Sequence, residues 1–478
     1  MHYRFLIAAL MLALCTSALA QAPATPAKAP ATQPAAKPDP AEVTAAIAKL
    51  TDVAKLRQLV AYYRQQGDTR MQIAALERLI QLRPHIGSYR LELAAVYAGQ
   101  ARKSHSYTQL VELQNSGYAY DLHDDARFAK VADTEVWEYL VKNFDANRQH
   151  FGNGTLAYTL PKADLLIESL AFDPVRKQLL VGSAREGTVY LVGKDSKLAP
   201  LVSADAKNGM WAVYDIAVDA KRNTLWVAST AVPHYLNYKP ESDLGRAGIF
   251  KFELSSGKFL KSYLSPVTPG QPFFLSSITV GPDGAVFAAD GVNNAIYQVR
   301  DDKFQRILHG PHLTSIRGLA VSPDSARLYF ADHEMGILGI DLATGKPFDV
   351  AVPAKLALGG IESLLWYRDG LIAVQSTMNP ARAMYLPLTT EGHAVAGVRP
   401  VEASNPEFRT LGLSTLGGDT LYIIANSQKT NYDRFGLLKK KELLEATRIV
   451  AADVAQVLKP SEADPINEMP VQVPLRRQ

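Results

Sequence analysis

Six short segments in the second half of the chain share a pattern in which a variable residue lies two positions before a recurring Leu or Ile. The variable residues are Glu168, Tyr214, Ser276, Arg317, Glu362 and Arg409. Carboxylates and guanidinium groups at such positions can neutralise each other as ion pairs, or the arginines can bind a ligand carboxylate or phosphate through paired hydrogen bonds. As a third possibility, the carboxylates can hold a divalent cation. The sequence leaves these three chemistries open.

The segments belong to repeated strand–turn–strand units, of which RGLAVSPDSARLYFAD is one. Their recurring apolar residues are separated by 46, 62, 41, 45 and 47 positions and are Leu170, Ile216, Ile278, Leu319, Leu364 and Leu411. Blades of β-propellers repeat about every 40 to 50 residues. The spacing predicts a six-bladed β-propeller over residues 151–455, with Leu156–Leu160 adding the outer strand of the last blade. A β-sandwich is the alternative fold.

In a propeller the first strand of each blade lies against the central channel, so the six variable residues should form a ring at one face. The second strand returns antiparallel to the same face, where it ends at Ser183, Ser229, Asp290, Asp332, Gln375 and Asn426. The order of the blades predicts two ion pairs, Arg317 with Glu362 and Arg409 with Glu168. The ring and the strand ends together predict a polar ligand pocket formed by Glu168, Tyr214, Ser276, Asp290, Arg317, Asp332, Glu362, Arg409 and Asn426. Asp332 and the adjacent His333 are the candidates for proton transfer.

The segments LIESLAFDP, IRGLAVSPDSARLYFAD and GIESLLWYRDG resemble the senescence marker protein (regucalcin)/gluconolactonase-like family of six-bladed propellers. This resemblance implies hydrolysis of sugar lactones with one divalent cation, commonly calcium, held by residues at the starts of blades. Glu168 matches the family's glutamate, whereas Arg317 stands where the family has an asparagine ligand, Glu362 where it has an aspartate, and Ser276 near its substrate-contacting asparagine. A guanidinium group cannot ligate a cation. Glu168 and Glu362 are the remaining candidates for a calcium site.

Residues 43–150 show the periodicity of amphipathic helices. Two stretches are related by a shift of 34 positions, so that apolar residues correspond in the pairs Leu59 and Leu93, Tyr63 and Tyr97, Leu76 and Leu110, and Leu79 and Leu113. A period of about 34 residues is typical of tetratricopeptide helical hairpins. The fold class predicted for the whole chain is therefore multidomain, with tetratricopeptide-like hairpins followed by the all-β propeller. Two unrelated helical hairpins are the alternative.

The N-terminus predicts export from the cytoplasm. His2 and Arg4 precede the apolar run Phe5–Leu14, and Ala18-Leu19-Ala20 offers a cleavage site for a signal peptide over residues 1–20. A lipoprotein signal at Cys15, the single cysteine, is the alternative. An Ala/Pro-rich linker over residues 21–42 and a flexible tail over residues 456–478 flank the two domains. We expect a periplasmic or secreted protein that does not span the membrane.

The formal net charge of +4 is spread among interspersed acidic and basic residues, which excludes the footprint of a nucleic-acid-binding protein. The basic run that begins at Leu437 is interpreted as a solvated face. The leading hypothesis is a binding protein, with the helical repeats for a protein or peptide partner and the propeller channel for a small anionic or sugar-derived ligand. The alternative is a metal-dependent lactone hydrolase of the gluconolactonase type.

Overall fold

A computed structural model describes residues 39–266, 270–310 and 312–458. The predicted signal peptide, all but the end of the predicted linker and the tail beyond residue 458 lie outside the described residues. None of the helices in these ranges has the length and hydropathy of a membrane-spanning segment.

The first part of the described chain is helical and begins three residues before the predicted start. Its helices are α1 (Pro40–Ala48), α2 (Val53–Gln66), α3 (Thr69–Leu82), α4 (Gly87–Gly99), α5 (Lys103–Asn115) and α6 (Glu135–Asn147). Carboxylate side chains cap three of them, since Asp39 accepts the Ala41 N–H at 2.9 Å, Asp52 accepts the Lys55 N–H at 3.0 Å and Asp68 accepts the Met71 N–H at 3.1 Å. Such caps satisfy N–H groups that a helix leaves without an internal partner.

The two helical hairpins bury the same positions of the 34-residue repeat. Helices α2 and α4 begin at residues 53 and 87, and α3 and α5 begin at residues 69 and 103, so both pairs are offset by 34 residues. The pairs at residues 76 and 110 and at residues 79 and 113 are at most 1% exposed. The predicted helices are therefore present, and their shared apolar faces form the core of this region.

The second part consists of six antiparallel four-stranded sheets, as predicted. Blades 1 to 3 comprise β2 (Ile167–Asp173), β3 (Gln178–Ser183), β4 (Thr188–Val192), β5 (Leu198–Ser203), β6 (Ala212–Asp219), β7 (Thr224–Thr230), β8 (Ala247–Glu253), β9 (Phe259–Leu264), β10 (Leu275–Val280), β11 (Val286–Asp290), β12 (Ala295–Arg300) and β13 (Lys303–His309). Blades 4 to 6 comprise β14 (Ile316–Val321), β15 (Arg327–Asp332), β16 (Gly336–Asp341), β17 (Pro347–Asp349), β18 (Ile361–Tyr367), β19 (Gly370–Gln375), β20 (Arg382–Pro387), β21 (Arg399–Ala403), β22 (Ser414–Gly417), β23 (Thr420–Ile424), β24 (Arg448–Asp453) and, from the start of the domain, β1 (Thr155–Thr159).

The ring closes by pairing the two ends of the propeller sequence. Strand β1 pairs antiparallel with β24, so the sixth blade takes its outer strand from the start of the domain. This closure confirms the prediction for the segment Leu156–Leu160. Backbone hydrogen bonds therefore tie the segment that precedes blade 1 into blade 6, and this closes the ring.

Side chains in the inner strands link three pairs of neighbouring blades. The Oγ of Ser277 accepts the Gly318 N–H at 3.2 Å, and the Oγ of Ser363 accepts the Ser414 N–H at 2.9 Å. In blade 2 a carboxylate takes this place, because Asp215 accepts the Ile278 N–H at 2.8 Å. We call this set of bonds the inter-blade latch.

The helical region packs directly on blades 4 and 5, on the face where the inner strands begin. Ala357 and Met378 of the propeller belong to the apolar core around α4 to α6. The Nδ1 atom of His85 accepts the Leu358 N–H at 3.3 Å, and burial lowers the pKa of His85 to about 4. The imidazole is therefore neutral at physiological pH, as a buried acceptor must be.

Candidate functional site

The mouth of the channel lies at the starts of the inner strands, and β-bulges shape it. In four blades the strand register skips one residue, and the skipped residues are Glu168, Tyr214, Ser276 and Glu362. A bulge leaves its extra residue outside the ladder and re-aims its side chain. The predicted ring is therefore built from residues that are freed from ordinary strand pairing.

Blade 4 has its bulge one residue later, at Gly318. This glycine has a φ of 49°, and a Cβ there would lie 2.5 Å from the Leu364 nitrogen of the next blade. Only glycine fits such a close approach in this conformation. Arg317 is consequently paired within the strand and reaches the mouth through its long side chain.

Arg317 forms the predicted ion pair with Glu362, although loosely. The Nη1 atom of Arg317 lies 3.9 Å from Oε2 of Glu362, and its Nε donates to the Oγ of Ser315 at 3.2 Å. A charge-assisted hydrogen bond is about 1 Å shorter than this ion pair. Much of the donor capacity of Arg317 is therefore unused by the described residues.

The predicted pair between Arg409 and Glu168 is wrong. Arg409 is exposed and donates to the carbonyl oxygens of Pro406 and Phe408 at 2.9 and 2.8 Å. The physical reason is that the inner strand of blade 6 begins only at Ser414, so position 409 lies in the segment before this strand. Glu168 instead accepts a hydrogen bond from the Oγ of Ser427 at 2.7 Å.

Lys429 is the cation that sequence reasoning missed. It lies in a 3₁₀ turn after β23, with its Nζ 5.7 Å from the ring centre of Tyr214 and 5.5 Å from that of Phe274. Burial raises the pKa of the Glu168 carboxyl, whereas the charge of Lys429 opposes that shift. Because Lys429 and Phe274 lie outside the repeated column, the repeat pattern carried no signal for either residue.

Two hydroxyl groups in the wall of the mouth have no hydrogen-bond partner among the described residues. They belong to Tyr214, which is 4% exposed, and Ser276, which is 6% exposed. The Tyr214 ring lies 4.6 Å from that of Phe274, and burial raises the pKa of the Tyr214 hydroxyl. Buried polar groups are almost always hydrogen-bonded in native proteins, so these hydroxyls are positioned to receive a polar group that enters the mouth.

The polar side chains at the ends of the second strands form hydrogen bonds within the adjoining turns and loops and do not line the predicted pocket. Asp332 is fully buried and accepts hydrogen bonds from Thr314, Ser315, Glu334 and Met335. Asp290 accepts the N–H groups of Phe274, Val292 and Asn293, and Asn426 accepts the Arg448 N–H. Ser183, Ser229 and Gln375 likewise bond backbone groups. These carboxylates and amides are used up by local structure, so we assign them to the blade turns.

His333 stays at the mouth face, where its Nε2 lies 3.3 Å from the Oγ1 of Thr377. With Asp332 occupied by the turn, the part of the chain that the structure describes gives His333 no carboxylate partner of the kind that orients a general base. The two predicted catalytic candidates therefore do not form a working pair.

The mouth does not fit the calcium site that the family resemblance implies. Calcium takes about six to eight oxygen ligands, and the described residues contain no group of three or more His, Cys, Asp or Glu side chains placed to hold a metal. The candidates Glu168 and Glu362 are accompanied by two cations, Arg317 and Lys429, which influence or contact them. Guanidinium and ammonium groups donate hydrogen bonds and cannot serve as metal ligands.

A second concave surface lies in the helical region, between α6 and the loop before it. This groove has a volume of about 670 Å³ and is lined by Leu122, His123, Asp124, Asp125, Ala126, Ala129, Ala132, Trp137, Glu138, Val141, Lys142 and Asp145. Its floor is apolar and its rim carries mostly acidic side chains. We call it the helical groove.

No family model and no curated protein matches the chain. Solved structures that resemble it include a gluconolactonase from Xanthomonas campestris, at 15% identity and a TM-score of 0.40, covering 63% of this chain and 89% of that one. A luciferin-regenerating enzyme has 15% identity and a TM-score of 0.41, covering 63% and 93% of the two chains. Virginiamycin B lyase from Staphylococcus aureus has 14% identity and a TM-score of 0.39, covering 58% and 82%. Likenesses this distant say nothing of the substrate.

Proposed function

We propose that the protein is an exported binding protein whose channel mouth takes a small anionic ligand that carries hydroxyl groups. The observation that carries this proposal is the convergence of Arg317 and Lys429 at the mouth, both with unused hydrogen-bond donors among the described residues. The apolar run Phe5–Leu14 and the Ala18-Leu19-Ala20 sequence support export to the periplasm or the medium.

The charge balance of the mouth favours an anion. Since burial raises the pKa of Glu168, the neutral form of this acid is more populated than in water, and Glu362 is partly neutralised by Arg317. The positive charge of Lys429 is then incompletely compensated. Guanidinium and ammonium groups together bind carboxylates and phosphates strongly in a site that is shielded from water.

The wall of the mouth favours hydroxyl groups on the same ligand. The free hydroxyls of Tyr214 and Ser276 can each exchange a hydrogen bond with a ligand hydroxyl. The adjacent rings of Tyr214 and Phe274 offer an apolar surface for the carbon skeleton. A sugar acid combines these features, so D-gluconate is a suitable probe.

Calorimetric titration with D-gluconate, and with neutral sorbitol as the matched polyol, tests the proposal. We expect gluconate to bind and Arg317→Gln and Lys429→Gln each to weaken it by about tenfold or more, the usual loss for a charged hydrogen bond. Arg409→Gln is the control, because this arginine is nearby but donates away from the mouth. Equal binding of sorbitol, or unchanged affinity in Arg317→Gln, would refute an anion site.

Metal-dependent lactone hydrolysis is disfavoured by the same geometry, and it has its own test. We expect no calcium-dependent turnover of gluconolactone above the uncatalysed rate. Hydrolysis that increases with calcium and is abolished by a chelator would show that the protein is a lactone hydrolase and would contradict the proposal of a binding protein.

For the helical region we propose tetratricopeptide-like repeats that bind a basic peptide in the helical groove. The equal 34-residue offset of the helices supports the repeat assignment. The apolar floor at Trp137 and Val141 suits an aliphatic or aromatic side chain, and the rim at Asp124 and Glu138 suits lysine or arginine. Protein surfaces that combine an apolar floor with a polar rim are typical of peptide sites.

A fluorescent peptide with alternating Leu and Lys residues, and its Leu/Glu counterpart, test this second proposal by anisotropy. The Leu/Lys peptide should bind, and Glu138→Lys should weaken it several-fold. Glu112→Lys is the control, since Glu112 is exposed on α5 and does not line the groove. Equal binding of the two peptides would show that the acidic rim has no role.

A further inference from the structure

Two long loops on the mouth face expose an unusual density of apolar side chains. They are the loop over residues 231–246 of blade 2 and the loop over residues 425–447 of blade 6. Among the described residues, five of the sixteen exposed large apolar side chains lie in these two loops: Leu236 (56%), Leu244 (70%), Phe435 (58%), Leu437 (64%) and Leu443 (49%). Exposed apolar surface of this density marks an interaction site.

A buried arginine holds the two loops together. Arg185 forms two hydrogen bonds with the carboxylate of Asp164 at 2.9 and 3.0 Å and donates to the carbonyl oxygens of His234 at 2.7 Å and Gly436 at 3.0 Å. The hydroxyl of Tyr432 donates to the same carboxylate at 2.5 Å. The Arg185 side chain is only 9% exposed. The loops therefore form one fixed surface and do not need to be ordered on binding.

The tip of the blade 6 loop directs two apolar side chains to solvent. The Asp433 carboxylate accepts the N–H groups of Phe435 at 2.8 Å and Leu437 at 3.0 Å. Between them Gly436 has a φ of 72° and packs against the carbonyl oxygen of Pro233, which a Cβ would approach to 2.2 Å. The turn thus fixes Phe435 and Leu437 outward, where they cost the isolated protein free energy.

Basic side chains surround this tip. Those exposed in the blade 6 loop are Arg434, Lys439, Lys440 and Lys441, and Lys239 and Arg246 are exposed in the blade 2 loop. The exposed acidic residues are fewer and comprise Glu241, Glu442 and Glu445. We call the apolar tip and its basic rim, from residues 233–246 and 434–443, the double-loop patch.

We propose that the double-loop patch docks the protein on an anionic lipid bilayer, independently of what the channel binds. Apolar side chains inserted among headgroups, flanked by lysine and arginine, are the features of interfacial membrane binding. A protein partner fits less well, because lysine is depleted in protein–protein interfaces. Docking in this way places the channel mouth towards the membrane, since Lys429 belongs to the same loop.

Sedimentation with vesicles tests the proposal, using phosphatidylcholine alone and phosphatidylcholine mixed with phosphatidylglycerol. We expect binding to the mixed vesicles that weakens with added salt. Phe435→Ser with Leu437→Ser should lower the partition coefficient by at least about tenfold. Replacing the three consecutive lysines by glutamine should lower it by on the order of 100-fold, or roughly fivefold for each charge. These lysines are Lys439, Lys440 and Lys441.

Matched variants at the opposite face control for general stickiness. Val175→Ser removes an apolar side chain that is 73% exposed in the β2–β3 turn, and a triple glutamine variant of Lys194, Lys221 and Lys258 removes three exposed lysines from turns of that face. Both controls should bind vesicles as the unchanged protein does. All comparisons use the full chain, so the apolar run Phe5–Leu14 contributes equally to each measurement.

Phe435→Trp reports where the tip lies. Its difference emission spectrum should shift to the blue on mixed vesicles and be quenched by lipids with brominated acyl chains. The proposal is overturned if the serine and glutamine variants bind as well as their controls, or if the tryptophan spectrum does not change. Tight binding to a soluble protein with no vesicle association would also overturn it and assign the patch to a protein partner.

Discussion

Replacement of Asp215 by serine should change how the stability of the propeller depends on pH. Asp215 is 9% exposed in the channel wall, and burial raises its pKa to about 8. The shift persists although its carboxylate accepts the N–H groups of Ile216 and Ile278, both at 2.8 Å. An aspartate in an unfolded chain titrates at about 3.9. Folding therefore disfavours the ionised form of this residue.

The sign of the effect follows from the two pKa values. Between about pH 4 and pH 8 the native state holds the proton of Asp215 and the unfolded chain does not, so the free energy of unfolding falls as the pH rises. This contribution is complete below pH 4, declines by about 1.4 kcal/mol per pH unit and levels off above about pH 8. From pH 5 to pH 8 the loss is roughly 4 kcal/mol.

Serine is the matched replacement because two other blades already use it in the inter-blade latch. Ser277 and Ser363 accept the N–H group of the next blade at 3.2 and 2.9 Å. Urea unfolding of the original protein and of Asp215→Ser, followed by tryptophan fluorescence, should give a stability difference that moves by roughly 4 kcal/mol in favour of the variant between pH 5 and pH 8. A difference that is the same at both pH values would mean that Asp215 is ionised in the native state, contrary to this reasoning.

Three further substitutions test the helical region and the way the two domains join. Gly359→Ala would bring a Cβ to 2.4 Å from the carbonyl oxygen of His85, so it should loosen the contact between the helices and the propeller. Limited proteolysis should then cut the segment between them faster. Gly397→Ala is the control and should have no such effect, because the nearest atom to its Cβ would lie at 3.5 Å. Glu402→Gln replaces a fully buried carboxylate that bonds the segment between the helices and the propeller. Thermal unfolding should show a loss of about 2 to 4 kcal/mol, and an unchanged transition would mean that this carboxylate does not hold the segment. Asp68→Ala deletes the cap of α3 and should cost about 1 kcal/mol in urea unfolding followed by circular dichroism, and an unchanged midpoint would contradict the capping role.

The repeated part of the fold was predictable because strand alternation and turn residues recur at one spacing. The spacing alone gave six blades, and the short segment before the first blade could be assigned to the last one because a ring has to close. The ring residues Glu168, Tyr214, Ser276 and Glu362 were found for the same reason, since each lies at one fixed position of the repeat.

What escaped prediction depends on non-repeated contacts. The late start of the inner strand in blade 6 has no clear sequence signature, so the repeat pattern misplaced Arg409. The sequence did not indicate that Asp332 caps a turn, because an aspartate at the end of a strand can equally bond the local backbone or face a pocket. Lys429 and the docking of the helical region both depend on loops, whose geometry is set by tertiary contacts such as those of Arg185.

In each of these strands the residue that bonds the next blade directly follows the residue that faces the mouth. Different residues therefore provide the stability of the ring and the binding surface of the mouth. At the latch position Ser277, Ser363 and Asp215 all accept a backbone N–H of the next blade, so their chemistry is restricted to acceptors. The residue before each of them is released from the ladder by the bulge and makes no such bond, so it is free to be acidic, aromatic or hydroxylic. A ring of unlike residues can therefore change its ligand without weakening the contacts between blades. This arrangement explains how the six-bladed ring is retained although the charged residues at its mouth do not form a metal site.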